Sequence, residues 1–146
     1  MLSNGIDDLA NDVDTLVLAG LGTNTIIEIL KNNAKLKNVK AIITDAHTDL
    51  YSLREYVSNI GFKIVNEIMI NDMKINYTII RFELGKEQYD FNDLFFGPIL
   101  RKNQPEIFKA YWKERKNYLS NLINNVTDKQ KYENMKLEIE RISKIL

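Results

Sequence analysis

The chain has 146 residues, 45% hydrophobic and 27% charged, and a formal net charge of zero; this is enough for one hydrophobic core with an appendage, in the composition range of soluble globular proteins. No apolar run approaches the roughly 20 residues that span a bilayer, and the first residues carry no basic, apolar, cleavable signal, so a cytoplasmic location without a membrane partner is expected. The absence of cysteine excludes disulfides, thiolate nucleophiles and thiolate ligands, the single histidine, His47, excludes a multi-histidine site, and no metal is expected. The zero net charge hides an asymmetry: residues 1–100 carry 9 Lys+Arg against 14 Asp+Glu, and residues 101–146 carry 11 against 6. A basic C-terminal segment beside an acidic body suits an anionic partner, of which RNA is one candidate; a solvated helical surface is the other reading.

In chain order, Ser3-Asn4-Gly5 is a turn signal, followed by an acidic helical turn at Asp7 and Asp8. The organising stretch is Asp14 to Gly22. Thr15 to Leu18 run without polar interruption into a turn of small residues, which predicts a strand buried on both faces. Asn24 is placed to cap a following helix to about Asn33, with Ile26, Ile27, Ile29 and Leu30 inward. Val39 to Thr44 predicts a second strand, and Asp45 to Asp49 a polar loop at its end. If the two strands are parallel, that loop shares an edge with the Gly20 turn, where open α/β sheets bind ligands. Leu53, Tyr56, Val57 and Ile60 predict a helix closed by Gly61.

Two strands follow, 62–70 with Ile64, Ile68 and Ile70 apolar and 75–84 alternating clearly, joined by a turn at Asn71 to Lys74. Phe91 to Leu100 is expected to be an aromatic loop punctuated by Gly97-Pro98. From Pro105 onward, Phe108, Tyr111, Trp112, Arg115, Leu119 and Leu122 keep helical spacing. After a polar break, Tyr132, Met135, Ile139 and Ile142 do so again, predicting an antiparallel helical hairpin. The fold class expected is α/β: part of a Rossmann-type sheet with two parallel strands and an antiparallel hairpin over residues 1–100, then a helical, coiled-coil-like hairpin over 101–146.

This order of motifs resembles the bacterial tRNA (adenine(22)-N1)-methyltransferases. The resemblance is carried by Asp14 with the strand and turn to Gly22, Leu53-Arg54, Glu67 and Tyr77 in the hairpin, and Phe96-Gly97-Pro98 with Leu100. It implies a Rossmann-type methyltransferase domain, S-adenosylmethionine as cofactor, and tRNA as partner. Asn4, Gly5 and Ala19-Gly20-Leu21-Gly22 would then line the cofactor, Asp45 and His47 would be the candidates for proton transfer, and Arg54, Lys109, Lys113, Arg115 and Lys116 would contact RNA. Where the family has Gln-Pro-Asn, this chain has Asp45-Ala46-His47, and the family's strand, Gly-rich loop and acidic ribose-binding residue cannot fit before Ser3. The expectation is therefore a fragment or half of a split enzyme, completed by a separate N-terminal polypeptide. The alternative is a non-catalytic RNA-binding or interaction protein derived from the same family.

Overall fold

β1 (Thr15–Leu18) enters a four-stranded sheet in the computed structural model, which describes residues 5–146. Asn4, proposed above for the cofactor, lies outside the described residues. β2 (Ala41–Ala46) pairs parallel to β1, and α1 (Thr23–Leu30) makes the crossover between them. α2 (Leu50–Asn59) leads into β3 (Phe62–Asp72) and β4 (Ile75–Leu84), and β4 pairs antiparallel with both β2 and β3. Ile26 and Leu30 of α1 and Leu53 and Val57 of α2 bury completely in one core with Leu16, Ile42, Ile80 and Phe82. Each such side chain contributes roughly 1.5–3 kcal/mol of burial.

Both helices cover the same face, and this corrects the expectation for β1. Leu16 is buried, but Thr15 is exposed and Val17 is 64% exposed, so the second face of this strand carries no layer among the described residues. An apolar run cannot distinguish a strand covered on both faces from one covered on one. α1 also starts earlier than predicted: Gly22, not Asn24, is its N-cap, and no side chain caps it. β2 runs longer, taking Asp45 and Ala46 into the strand as partners of Ile79 and Thr78.

β3 contains the feature that decides where its side chains point. Ile64 pairs with Phe82 and Asn66 with Arg81, a register shift at which one residue is extra. The bulge reverses the in-out alternation, and Asn66 Oδ1 accepts the N–H of Glu67 at 2.9 Å. Glu67 therefore turns inward opposite Ile80, whereas Ile68 and Ile70, which simple alternation from Ile64 would bury, are 48% and 42% exposed. Residues 91–100 are not a loop but two short helices, α3 (Phe91–Phe96) and α4 (Pro98–Asn103). Asp90 accepts the Asp93 N–H at 2.7 Å and Asp93 the Asp90 N–H at 3.2 Å, a reciprocal capping box, and Pro98 opens α4.

The chain divides into a unit ending at Lys102 and a second from Asn103 to Leu146. In the second, α5 (Glu106–Leu122) and α6 (Lys129–Ile145) bury Phe108, Leu119 and Ile142. Arg115 donates to both carboxylate oxygens of Glu138 at 2.8 and 3.3 Å, which ties the two helices together. No helix among the described residues is long and apolar enough to cross a membrane.

Candidate active site

The parallel pairing of β1 and β2 places their carboxyl ends on one edge, where the Gly20 turn and the connection after Ala46 meet. The Thr23 hydroxyl donates to the Thr48 carbonyl at 2.6 Å and joins the two connections directly. Gly20 has φ +71, a left-handed conformation that favours glycine, and a β-carbon added at Gly20 or Gly22 would meet nothing within 4 Å. The space over this turn is open, so its backbone can be approached closely. Asp49, at φ 47, caps α2 by accepting the Ser52 N–H at 3.3 Å, which fixes the end of the connection after β2.

Asp45 and His47 lie at this edge. Asp45 Oδ1 is inaccessible to water and has no hydrogen-bond partner among the described residues, as is true of Thr44 Oγ1 and Ser58 Oγ. His47 is exposed and packs edge-on against Tyr77, with ring centroids 5.4 Å apart. Tyr77, the residue before Asp45's neighbouring pair Ala46–Thr78, is thus part of the site; its place on β4 was legible, but its contact across the sheet was not. The open backbone at Gly20 and Gly22 and the unpartnered Asp45 Oδ1 thus lie at the same end of the two parallel strands. Gly5 does not join them: it is seated against Ile29, in the last turn of α1.

Arg54 is elsewhere and is not available to RNA. Its side chain is 1% exposed, its Nε donates to Glu67 Oε1 at 2.7 Å, and its Nη1 donates to the Leu94 carbonyl at 2.9 Å and the Phe95 carbonyl at 3.4 Å. Glu67 Oε2 accepts the N–H groups of Ile99 at 3.0 Å and Leu100 at 3.3 Å. The guanidinium thus meets carbonyls at the end of α3 and the carboxylate meets amides at the start of α4, each suited to that helix end. Burial draws the Arg54 pKa below its ordinary value, against the opposing pull of Glu67. Gly97 crosses directly over the pair: a β-carbon there would lie 2.5 Å from Glu67 Oε2 and 2.7 Å from Arg54 Nη2. Leu53-Arg54, Glu67 and Phe96-Gly97-Pro98, three motifs far apart in sequence, therefore converge on one buried clamp rather than on the open edge.

The basic residues of the helical hairpin differ among themselves. Arg115 is committed to Glu138, and its pKa is raised chiefly by that hydrogen bond. Lys109 makes an exposed pair with Glu106 at 2.8 Å, a weak tie. Lys109, Lys113 and Lys116 follow the spacing of one helix face. Tyr111 and Trp112 are half-buried, their rings 4.9 Å apart. Among the described residues no three His, Asp or Glu side chains gather as a metal site would require.

Among curated proteins, none is similar to the chain in sequence. Solved structures are: a Streptococcus agalactiae protein of the NADB-Rossmann superfamily is 26% identical with a TM-score of 0.93, over 100% of this chain and 66% of that protein. A Streptococcus pneumoniae protein described as a candidate tRNA (m1A22) methyltransferase, in complex with S-adenosyl-L-methionine, is 26% identical with a TM-score of 0.89, over 100% of this chain and 67% of that one. M. capricolum TrmK in complex with S-adenosyl-homocysteine is 25% identical with a TM-score of 0.85, over 99% and 66%. The chain spans about two thirds of the length of these proteins. The sequence profile of the tRNA (adenine(22)-N(1))-methyltransferases matches residues 1–145, and the chain belongs to that family.

Proposed function

We propose that the chain serves in S-adenosylmethionine-dependent methylation of adenine N1 in tRNA, as a fragment or half of the complete enzyme. The observation that carries this reading is the shared carboxyl-end edge of β1 and β2, where Gly20 and Gly22 leave open space and Asp45 Oδ1 has no hydrogen-bond partner among the described residues, in a chain of this family. Ala19, Gly20, Leu21 and Gly22 would border the cofactor, which supplies an electrophilic methyl group. The chain's own part is to hold the adenine so that N1 approaches in line, a gain made by orientation. Methylation at N1 leaves the base cationic and its exocyclic amine acidified; Asp45 and His47 would take that proton. Lys109, Lys113 and Lys116 would meet tRNA phosphates. The open face at Val17, on a strand paired only with β2 among the described residues, supports completion by a further polypeptide segment.

Calorimetric titration tests this. S-adenosylmethionine should give no heat with this chain alone, and saturable binding once the portion of a relative that the chain does not match is added. Binding by the chain alone would contradict the half-enzyme reading. Retention of tRNA with no cofactor binding in either arm would favour a non-catalytic RNA-binding protein.

A further inference from the structure

The β3–β4 hairpin reaches past the sheet on the side of the open edge. β2 ends at Ala46, the partner of Thr78, so Ile75, Asn76 and Tyr77 with Ile70, Asn71 and Asp72 extend about 10 Å beyond it at the rise of a strand. Cross-strand partners share a face, so Ile70 with Tyr77, Asp72 with Ile75, and Asp45 with Ile79 lie on the same side of the sheet. Tyr77 touches His47 there. The surface is thus continuous from the candidate site to the tip, where Met73 is 90% and Ile75 41% exposed.

The tip is also strained. Met73 and Lys74 have φ of 47° and 66°, the two left-handed positions of a tight hairpin turn that Asn and Gly fill at least cost. A long apolar side chain held in that conformation, exposed and next to a cation, is an outlier from which function can be inferred. The substrate chemistry supplies a use: N1 lies on the pairing edge of adenine, so a base held in a helix must leave it to be methylated there, and proteins that unstack a base step do so with inserted apolar side chains, methionine among them.

We propose that the hairpin tip, Met73 backed by Ile70 and Ile75, enters the tRNA base stack beside the target adenine and holds that base out toward Asp45 and His47, with Lys74 against a neighbouring phosphate. This rests on the tRNA-methylating reading above. The test uses the full chain and a tRNA transcript carrying 2-aminopurine at the target adenine, whose fluorescence rises on unstacking, with affinity measured separately by filter binding. Met73→Leu should keep the rise, and Met73→Asn, which suits the left-handed turn and so protects the fold, should cut it roughly fivefold or more while affinity changes less than about threefold. An undiminished rise with Met73→Asn overturns the wedge and leaves the tRNA reading standing. A parent chain that binds tRNA with no rise does the same, whereas one that binds no tRNA overturns both. Loss of self-association in Met73→Asn with the rise intact would make the tip a contact between copies and likewise overturns the wedge.

Discussion

Replacing Glu67 by glutamine keeps the shape of the side chain and removes the charge that Arg54 depends on. The guanidinium would remain fully buried with its charge uncompensated, and glutamine presents a single oxygen where the carboxylate serves Arg54 with one and two backbone N–H groups with the other. Removing one partner of a buried pair costs about 3–5 kcal/mol, against a total stability of about 5–15 kcal/mol for a typical domain. At the usual sensitivity for a chain of this size, the loss corresponds to a drop in Tm of roughly 6–20 °C. Urea denaturation followed by far-ultraviolet circular dichroism would measure it. Glu67→Gln, Arg54→Met and the double variant close a cycle in which the summed single losses should exceed the double by about 2 kcal/mol or more. Single losses below about 1 kcal/mol, or additivity within about 0.5 kcal/mol, would refute the clamp.

The glycines predict a contrast. Gly97→Ala drives a β-carbon into both charged groups at φ +92 and should cost more than about 3 kcal/mol, whereas Gly20→Ala, at φ +71 with open space, should cost only the left-handed penalty of about 1–2 kcal/mol; paired denaturation curves decide. Tyr89, whose hydroxyl accepts the Ile64 N–H at 2.8 Å and donates to Glu87 at 3.0 Å, has its pKa pushed up to about 12, chiefly by burial. The unfolded chain loses that proton near pH 10, so this contribution is full below about pH 10 and falls as pH rises toward about 12. Ultraviolet titration should show a late tyrosine that Tyr89→Phe abolishes. Changing Lys109, Lys113 and Lys116 together to glutamine should weaken tRNA binding and reduce its log–log salt slope by about 2–3. An unchanged slope would remove these residues from the interface.

Where one physical signal dominated, the sequence was a sufficient guide. The alternation of Ile75 to Leu84 marks β4 because one face packs on the core and the other does not, and the three-four spacing from Phe108 to Leu122 and from Tyr132 to Ile142 marks the helical hairpin. The glycine turn and the connection after β2 were legible as one edge, since parallel strands require it, although Asp45 and Ala46 belong to the strand rather than to the connection. The inward turn of Glu67 was not, because a bulge leaves no residue signature and inverts every side chain after it. Arg54 read as a surface cation because its partner, the bulge-inverted Glu67, is reached only through the tertiary fold. α3 and α4 are too short for periodicity to register, although Asp90 and Asp93 do mark a helix start.

Product analysis decides whether the chain takes part in methylation of adenine N1. The purified chain, combined with the cofactor-binding segment of a relative, would be incubated with S-adenosylmethionine and unmodified tRNA, and the digested RNA examined by mass spectrometry for 1-methyladenosine. 1-Methyladenosine should form with both components present and be lost when Asp45 and His47 are both replaced by alanine. Unmodified adenosine in the complete mixture, despite demonstrated binding of cofactor and tRNA, would contradict a part in that reaction.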